Sequence, residues 1–336
     1  MTGRRTLTRT ACFAPISLAI AMLASCERAP PQPDSSADTT LAAGEAPAVT
    51  SEPELNLHDW VLNPRVDEAE LDIALPRIVS AAPNVTEICC ALGLRSALVG
   101  RTRYCDYPPG IESVSAIGAL IDVNVEALLE LRPELILISG TSRGQTERFA
   151  TLELRLESVP DAGLSDLPAA IRRVGELTRR TRTAERLCEG IESDLATVTG
   201  RYADVPPARV LLLTGTLSDP PRPPYVAGPG SFYDDLLALA GHTNVIGGEQ
   251  AAFAPLSLEF IVRADPDVII ELDPDGRQRP AGDGDAIRVW AKVGPLRAVA
   301  DRRVHVLTGN QYFVLGPRIA LTYDALCRAI AGENHE

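Results

Sequence analysis

Aromatic residues, histidines and clustered cysteines are scarce in this chain of 336 residues. Aromatic side chains make up 4% of it, and only four histidines occur. The seven cysteines include no CxxC pair, and zinc sites need clustered Cys or His ligands, so we expect no metal site. Basic residues are few as well, because 32 Lys and Arg stand against 45 Asp and Glu. The resulting net charge of −13 argues against a nucleic-acid partner, which would require the opposite balance.

Long apolar runs are missing after the first 26 residues. At the start, three arginines precede the uncharged run Ala11–Leu23, which is too short to span a bilayer and has the pattern of a cleaved export signal over residues 1–25. The run ends in Leu-Ala-Ser-Cys, a bacterial lipobox pattern that predicts lipidation of Cys26. The alternative is a plain signal peptide with a chance Cys at its boundary. We therefore expect a protein of the periplasm or cell envelope, anchored to a membrane through Cys26.

Residues 26–70 are rich in Pro, Ser and Ala and have no apolar periodicity, which predicts a disordered tether. The rest of the chain alternates short apolar runs with helical patterns, as parallel βα units do. Runs such as Leu135–Ile138 and Val268–Ile270 are apolar throughout, which is typical of strands covered on both faces. This part is longer than one ordinary core, so we expect two α/β lobes, residues 71–165 and 205–334.

The segment between the two lobes, residues 166–204, has no strand signal. One helical face stays apolar over about five turns. It comprises Ala184, Leu187, Cys188, Ile191, Leu195, Val198 and Tyr202. The predicted fold is therefore α/β, with two Rossmann-like βα lobes joined by a single long connecting helix. Such an architecture binds small molecules in the cleft between its lobes, near the carboxyl ends of the strands.

Several segments resemble the cobalamin and ferric-chelate class of substrate-binding proteins. They are PRIVSAAPNVTE (76–87), GRTRYCDYPP (100–109), RPELIL (132–137), YVAGPGS (225–231), SLE (257–259), ADPDVI (264–269) and GPR (316–318). Their order and spacing match from about Leu71 to the C-terminus. The resemblance implies a rigid connecting helix, modest hinge motion and a monomer with no cofactor of its own. It also implies that the protein captures cobalamin or another metal chelate and delivers it to an ABC permease and ATPase complex.

Two glutamates, Glu126 and Glu259, each fall in the first turn of a predicted helix, just after a capping residue. A carboxylate there interacts favourably with the helix dipole, which is an ordinary structural role. The pair, however, places one carboxylate on each lobe, and the resemblance implies that both dock on arginines of the permease. A lipoprotein for sensing or storage is the alternative in which these carboxylates would have no docking role.

The resemblance also implies which loops line the cleft. The predicted ligand-binding residues are Asn84, Tyr104, Arg143, Tyr225, Phe253, Asn310 and Tyr312. The aromatic rings would stack on a flat ligand and the amides would bond to its rim, although core packing is the ordinary alternative for each aromatic. Arg143, with Arg101 and Arg103, would instead pair with the carboxylates of a ferric siderophore or haem, or form a solvated face.

One motif suggests an enzyme instead. Residues 140–144 match G-x-S-x-G between a predicted strand and a predicted helix, the context of a nucleophile elbow. Ser142 would attack an acyl carbon, with His242 or His305 as the base. No Gly-rich oxyanion loop precedes the motif, however, and the strandless segment interrupts a single sheet. We therefore predict a binding protein without catalytic residues, and a serine hydrolase is the alternative.

Overall fold

The computed structural model describes residues 58–119, 122–140, 154–248, 251–279 and 282–333. Several predicted features lie outside these residues. They are the export signal, Cys26, most of the tether, Ser142, Arg143 and the helix predicted after Arg143. Within the described ranges, no helix combines the length and the apolar composition that crossing a bilayer requires.

The first lobe is built on a five-stranded parallel sheet. Its strands are β1 Ile78–Ser80, β2 Leu98–Arg101, β3 Ser115–Ala116, β6 Leu135–Ser139 and β7 Leu156–Val159, and a hairpin of β4 Gly118–Ala119 and β5 Asp122–Val123 follows β3. Its helices are α1 His58–Leu62, α2 Pro83–Ala91 and α3 Val125–Glu130, with short 3-10 helices at Glu68–Glu70, Arg95–Ala97 and Ile111–Ser113. The strand order β3-β2-β1-β6-β7 puts the topological switch point between β1 and β6. Open α/β sheets bind ligands at this point.

Two helices connect the lobes, α4 Asp166–Thr178 and α5 Thr181–Arg201. Between them, Arg179 has a left-handed backbone with φ 59°, so the predicted helical segment bends back on itself. Helix α5 is the long connecting helix, and the apolar face predicted for it is the face that is buried. Near its end, the Arg201 guanidinium bonds to Asp324 of the second lobe at 2.8 Å.

The second lobe has a mixed six-stranded sheet. Its strands are β8 Arg209–Leu213, β9 Tyr225–Ala227, β10 Thr243–Asn244, β11 Phe253–Pro255, β12 Val268–Asp273 and β13 Val304–Thr308. Its helices are α6 Phe232–Leu239, α7 Leu258–Ala264, α8 Gly282–Trp290, α9 Arg297–Ala300 and α10 Ile319–Ala331, with a 3-10 helix at Asn310–Phe313. Strands β8, β10, β12 and β13 pair in parallel, whereas β9 and β11 run antiparallel. The sequence did not predict the antiparallel strands, because each has only three residues.

The inner strands are buried on both faces, as their apolar runs predicted. In β6, Leu135 and Leu137 join the core under the connecting helices, whereas Ile136 and Ile138 join a second cluster on the opposite face. Strand β12 alternates in the same way. The core under the connecting helices contains residues of both sheets and of α4, α5 and α10, so apolar packing runs unbroken from one lobe to the other.

Residues 58–70 correct the predicted tether, because they are folded onto the connecting helix. An added Cβ at Gly190 of α5 would lie only 2.8 Å from the Trp60 ring, so the indole packs directly on the helix backbone. The Glu70 carboxylate accepts the backbone N–H groups of Arg182 at 2.8 Å and Thr183 at 3.2 Å. Glu70 therefore caps the N-terminus of α5 from 112 residues away in sequence. The composition of residues 26–70, which is rich in Pro, Ser and Ala, did not indicate that Trp60 and Glu70 pack on α5.

Replacing Glu70 by Ala is expected to lower the free energy of unfolding by about 1–2 kcal/mol. The change leaves buried N–H groups of the first turn of α5 without an acceptor, which costs more than an ordinary surface hydrogen bond. Urea unfolding followed by circular dichroism measures the loss. The control is Glu68→Ala in the same 3-10 helix, because Glu68 is exposed and should change stability little. Equal stability of the two variants would contradict the capping role.

Candidate functional site

A cleft of about 630 Å³ lies between the two lobes. On the first lobe the cleft is lined by residues at the carboxyl ends of parallel strands. Ala81 follows β1, Thr102 follows β2, Ser139 ends β6 and Asp161 follows β7. Residues of the second lobe form the opposite wall, and they are Gly230, Phe232, Ala252, Phe253, Phe313, Val314 and Leu315. The cleft lies at the topological switch point of the first sheet, where the fold class predicts a ligand.

Four aromatic residues line this cleft. Three of the six phenylalanines line it, and Tyr104 faces them from the first lobe. Phe253 packs edge-on against Tyr233, with ring centroids 6.3 Å apart and an interplanar angle of 89°. Tyr104 is 54% exposed and Phe253 is 48% exposed, so both side chains are accessible at the cleft. A low overall aromatic content is therefore compatible with an aromatic binding site.

Three of the predicted ligand-binding residues come together here. Asn84, Tyr104 and Phe253 all line the cleft. Asn84 lies in the first turn of α2, whose start is held by the Thr86 hydroxyl, which donates to Ser80 Oγ at 2.7 Å.

The other predicted ligand-binding residues lie elsewhere or outside the described residues. Tyr225 is 61% exposed and borders a separate groove with Thr214 and Gln278. Asn310 donates its amide to Asp106 at 2.7 Å, which links the two lobes. The ring of Tyr312 packs against the main core, and its carbonyl accepts the Tyr233 hydroxyl at 2.6 Å. The roles predicted for these three residues stay predictions, as does that of Arg143.

Sequence reasoning missed Thr102, Asp161, Phe232 and Phe313 as cleft residues. A signal for two of them was present, because Thr102 directly follows β2 and Asp161 lies two residues after β7. Strand carboxyl ends are the positions at which α/β folds bind ligands, so these loops could have been searched residue by residue. Phe232 and Phe313 carried no such signal, since their apolar neighbours suggest core packing equally well.

A buried polar cluster connects the lobes next to the cleft. The Arg318 guanidinium binds the Glu87 carboxylate through two hydrogen bonds, of 3.0 and 2.5 Å. Arg318 also lies 3.7 Å from the ring centroid of Tyr107. Burial raises the pKa of Glu87, and the guanidinium opposes that rise. An added Cβ at Gly316 would lie 3.2 Å from the Glu87 carboxylate, a tight contact that the neighbouring atoms would have to relieve by a small shift.

Both predicted docking glutamates lie on the surface in matching local structures. Glu126 lies in the first turn of α3, where the Asn124 side chain accepts the Ala127 N–H at 3.0 Å. Glu259 lies in the first turn of α7, where the Ser257 hydroxyl accepts the Phe260 N–H at 3.2 Å. Both side chains are exposed, and neither forms an ion pair with another of the described residues.

Among the described residues, no histidine that could act as the base of a serine hydrolase lines the cleft. His305 bonds to Asp283 at 3.0 Å, and the Nδ1 atom of His242 accepts the Ala208 N–H at 3.2 Å. Both histidines belong to the second lobe, and neither lines the cleft in the part of the chain that the structure describes. Burial lowers the pKa of His242.

The cysteines of the folded part are buried thiols. Within the described ranges, Cys89, Cys90, Cys105, Cys188 and Cys327 are all buried and take part in no disulfide. Burial raises the pKa of Cys90 to about 12 and that of Cys188 to about 11, so little thiolate forms at neutral pH. No group of three or more His, Cys, Asp or Glu side chains among the described residues could hold a metal ion. The thiols act as small apolar side chains.

The chain belongs to the periplasmic binding protein family, whose model matches residues 78–309. The matched region begins at β1 and ends after β13, so it contains both sheets and most of the residues that line the cleft. Membership identifies a binding protein and indicates a location in the periplasm or cell envelope.

The chain is similar to known proteins in sequence and to solved structures in fold. The vitamin B12-binding protein of Pectobacterium carotovorum subsp. carotovorum (strain PC1) is 26% identical over 202 residues, which cover 59% of this chain and 71% of that protein. The periplasmic vitamin B12 binding protein BtuF of Vibrio cholerae has a similar fold, with a TM-score of 0.65 at 22% identity, over 77% of this chain and 99% of that one. The periplasmic heme-binding protein RhuT from Roseiflexus sp. RS-1 has a TM-score of 0.63 at 26% identity, over 77% of this chain and 99% of that one.

Proposed function

We propose that this protein is the substrate-binding component of an ABC importer and that it captures cobalamin or a related metal chelate in the cleft between its lobes. The observation that carries the proposal is the aromatic lining of the cleft, which consists of Tyr104 on the first lobe and Phe232, Phe253 and Phe313 on the second. Apolar and aromatic linings with a few placed polar groups are typical of small-molecule sites. The vitamin B12-binding relatives support a corrin as the ligand.

Delivery to the permease is the second part of the proposal. Ligand closes the lobes by a small hinge motion, and the closed lobes then present Glu126 and Glu259 to basic groups of the permease. The apolar core that runs through both lobes supports a small motion, because it allows little independent movement of either lobe. The protein acts as a monomer anchored through Cys26, with neither a catalytic step nor a cofactor of its own.

Haem is the second candidate ligand, and Tyr104 is the observation that favours it. Haem iron in proteins is held by His, Cys, Met or Tyr side chains. Among the described residues of the cleft lining, Tyr104 is the one side chain of these four types. The Arg103 guanidinium lies beside it and donates to the phenol oxygen at 3.4 Å.

Calorimetric titration of the soluble fragment from Ala29 onward, first with cyanocobalamin and then with haemin and ferric siderophores, tests the proposal. We expect one-to-one binding of cyanocobalamin. The variants Tyr104→Ala and Phe253→Ala should each weaken binding by about tenfold, because each removes a stacking surface worth about 1–1.5 kcal/mol.

The control is Leu239→Ala, since Leu239 is an apolar side chain of the second lobe that is 42% exposed and lies outside the cleft lining. It should leave the affinity unchanged. Binding of haemin alone, abolished by Tyr104→Ala, would identify haem as the ligand. If none of these chelates binds, the proposed ligand class is rejected, and the sensor and hydrolase hypotheses have to be considered again.

A further inference from the structure

Helix α2 of the first lobe begins at the cleft without a capping side chain. Ala82 precedes its first residue, Pro83, and an alanine side chain cannot accept a hydrogen bond from the first turn as Ser, Thr, Asp or Asn would. The backbone N–H groups of Asn84 and Val85 consequently have no acceptor among the described residues. Ala82, Pro83 and Asn84 all line the cleft, so the unpaired end of the helix faces the space that a ligand would fill.

The Asn84 side chain adds a further polar group without a partner at the same place. The residue is only 7% exposed, and its amide forms no hydrogen bond with any of the described residues. A buried amide without a partner is unfavourable, which is why such groups in native proteins are usually satisfied. The amide is not sealed inside the protein, however, because Asn84 lines the cleft. A bound ligand can therefore supply the missing partner.

The start of α2 is fixed on the sheet before any ligand arrives. The Thr86 N–H donates to the Ala82 carbonyl at 3.0 Å, and the Ser80 hydroxyl donates to the same carbonyl at 3.1 Å. Donors that are already held in position need little further ordering when they bind a ligand, and this favours affinity.

The charge around this helix start favours an anionic acceptor over a neutral one. The N-terminus of a helix carries about half a positive charge, and its unpaired N–H groups bind phosphate or carboxylate oxygens. The loop after β2 adds a full positive charge. Its Arg103 guanidinium lies 5.2 Å from the ring centroid of the cleft residue Tyr104 and forms no ion pair with another described residue. The first-lobe wall is therefore electropositive around α2.

The acidic side chain of the cleft lies some distance from α2. Among the described residues of the lining, Asp161 is the one acid, and it follows β7, whereas α2 follows β1. Strand β6 lies between β1 and β7. Neighbouring strands are about 4.8 Å apart, which separates the two loops by about 10 Å. Repulsion from Asp161 thus acts across two strands, whereas the donors of α2 act at hydrogen-bond distance.

We propose that the start of α2, together with the Asn84 side chain, binds an anionic oxygen group of the ligand. Both candidate chelates carry such a group at their periphery, since cobalamin has a phosphodiester in its nucleotide loop and haem has two propionate carboxylates. The inference rests on the proposed function, because it assumes a metal chelate in the cleft. It deepens that function by requiring a negative charge on the part of the ligand that faces α2.

Calorimetric titration with two ligand pairs tests this site. Cyanocobalamin is compared with cyanocobinamide, which lacks the nucleotide loop and its phosphodiester, and haemin is compared with its dimethyl ester. For the wild-type fragment we expect the anionic member of a pair to bind about tenfold more tightly. In Asn84→Asp this preference should fall below about threefold, because the new carboxylate neutralises the helix start and repels a second anion. Added salt should also weaken the wild-type preference, as it screens a Coulombic effect.

Two further variants separate the site from the stability of the fold. Asn84→Ala should reduce the preference by a smaller amount than Asn84→Asp, because the backbone N–H groups remain. The matched control is Asn124→Asp, which adds the same charge at the start of helix α3, outside the cleft lining. Asp caps a helix as well as Asn does, so this variant should fold normally and keep the wild-type preference. Circular dichroism checks the fold of each variant.

A preference that is lost in Asn84→Asp and kept in Asn124→Asp would support the site. The ligand pair that shows it would identify the bound group as the phosphodiester or the carboxylate. Chelate binding with equal wild-type affinities within each pair would overturn the inference while the proposed function stands. A preference that persists unchanged in both Asn84 variants would overturn it as well, since the bulk of the nucleotide loop alone would produce that result. If no chelate binds, the proposed function is rejected together with this inference.

Discussion

Replacing Arg318 by Met is expected to lower the free energy of unfolding by about 3–5 kcal/mol, the largest loss we predict for a single side chain. Glu87 is 2% exposed, and its carboxylate receives both hydrogen bonds from the Arg318 guanidinium. Without that partner the carboxylate stays buried, and an uncompensated buried charge is far more costly than a missing surface contact. The stacking of Arg318 on the Tyr107 ring would be lost as well.

Urea unfolding of three variants separates the charge from the packing. Arg318→Met alone should be strongly destabilised, whereas Glu87→Met combined with Arg318→Met should recover most of the loss, since replacing both partners by apolar groups leaves no buried charge. Arg318→Lys should fall between wild type and Arg318→Met, because an ammonium group keeps the charge but cannot bind the carboxylate in two places. A loss below about 1 kcal/mol for Arg318→Met would show that the pair contributes little to holding the lobes together.

Reversing both docking charges, Glu126→Lys with Glu259→Lys, is expected to abolish uptake while the affinity for the ligand stays within twofold of wild type. Both carboxylates are exposed and lie outside the residues that line the cleft. Placing ammonium groups where the permease is expected to present basic residues replaces attraction by repulsion on both lobes. Either single reversal should leave partial uptake, because the other lobe still docks.

The measurement is accumulation of labelled cyanocobalamin by cells in which the chromosomal gene is replaced by each variant, beside calorimetry on the purified fragments. Glu112→Lys with Asp301→Lys is the matched control, because it makes the same net charge change at two exposed positions, one on each lobe. The control should transport normally. Normal uptake by the Glu126 and Glu259 variant would refute the docking role, and a loss of ligand affinity would assign these residues to binding instead.

The elements with strong local patterns were predictable from the sequence. Helix α5 was expected because seven apolar side chains repeat on one face, and that face is the buried one. The caps at Asn124 and Ser257 are also local, since each bonds to an N–H three residues ahead. The short strands β9 and β11 were missed, because three residues carry too little periodicity to show a strand.

The candidate site was predictable only in part. Asn84, Tyr104 and Phe253 were identified through the resemblance of their segments to a family, and the structure places them in one cleft. Tyr225 came from the same reasoning, yet it borders a different groove. The sequence of a loop does not determine the direction of its aromatic side chain, because the segments that pack against the loop lie far from it in the sequence.

The sequence by itself determined the class of the protein: two α/β lobes, a long connecting helix and exposed carboxylates at two helix starts, all consequences of short-range periodicity and capping. The tertiary structure alone decided that Glu70 caps α5, that Glu87 pairs with Arg318, and that Ser139 holds Asp161 in the cleft. These partners are 112, 231 and 22 residues apart. Electrostatic and hydrogen-bond partners at such separations meet only when packing of the apolar faces has brought their elements together.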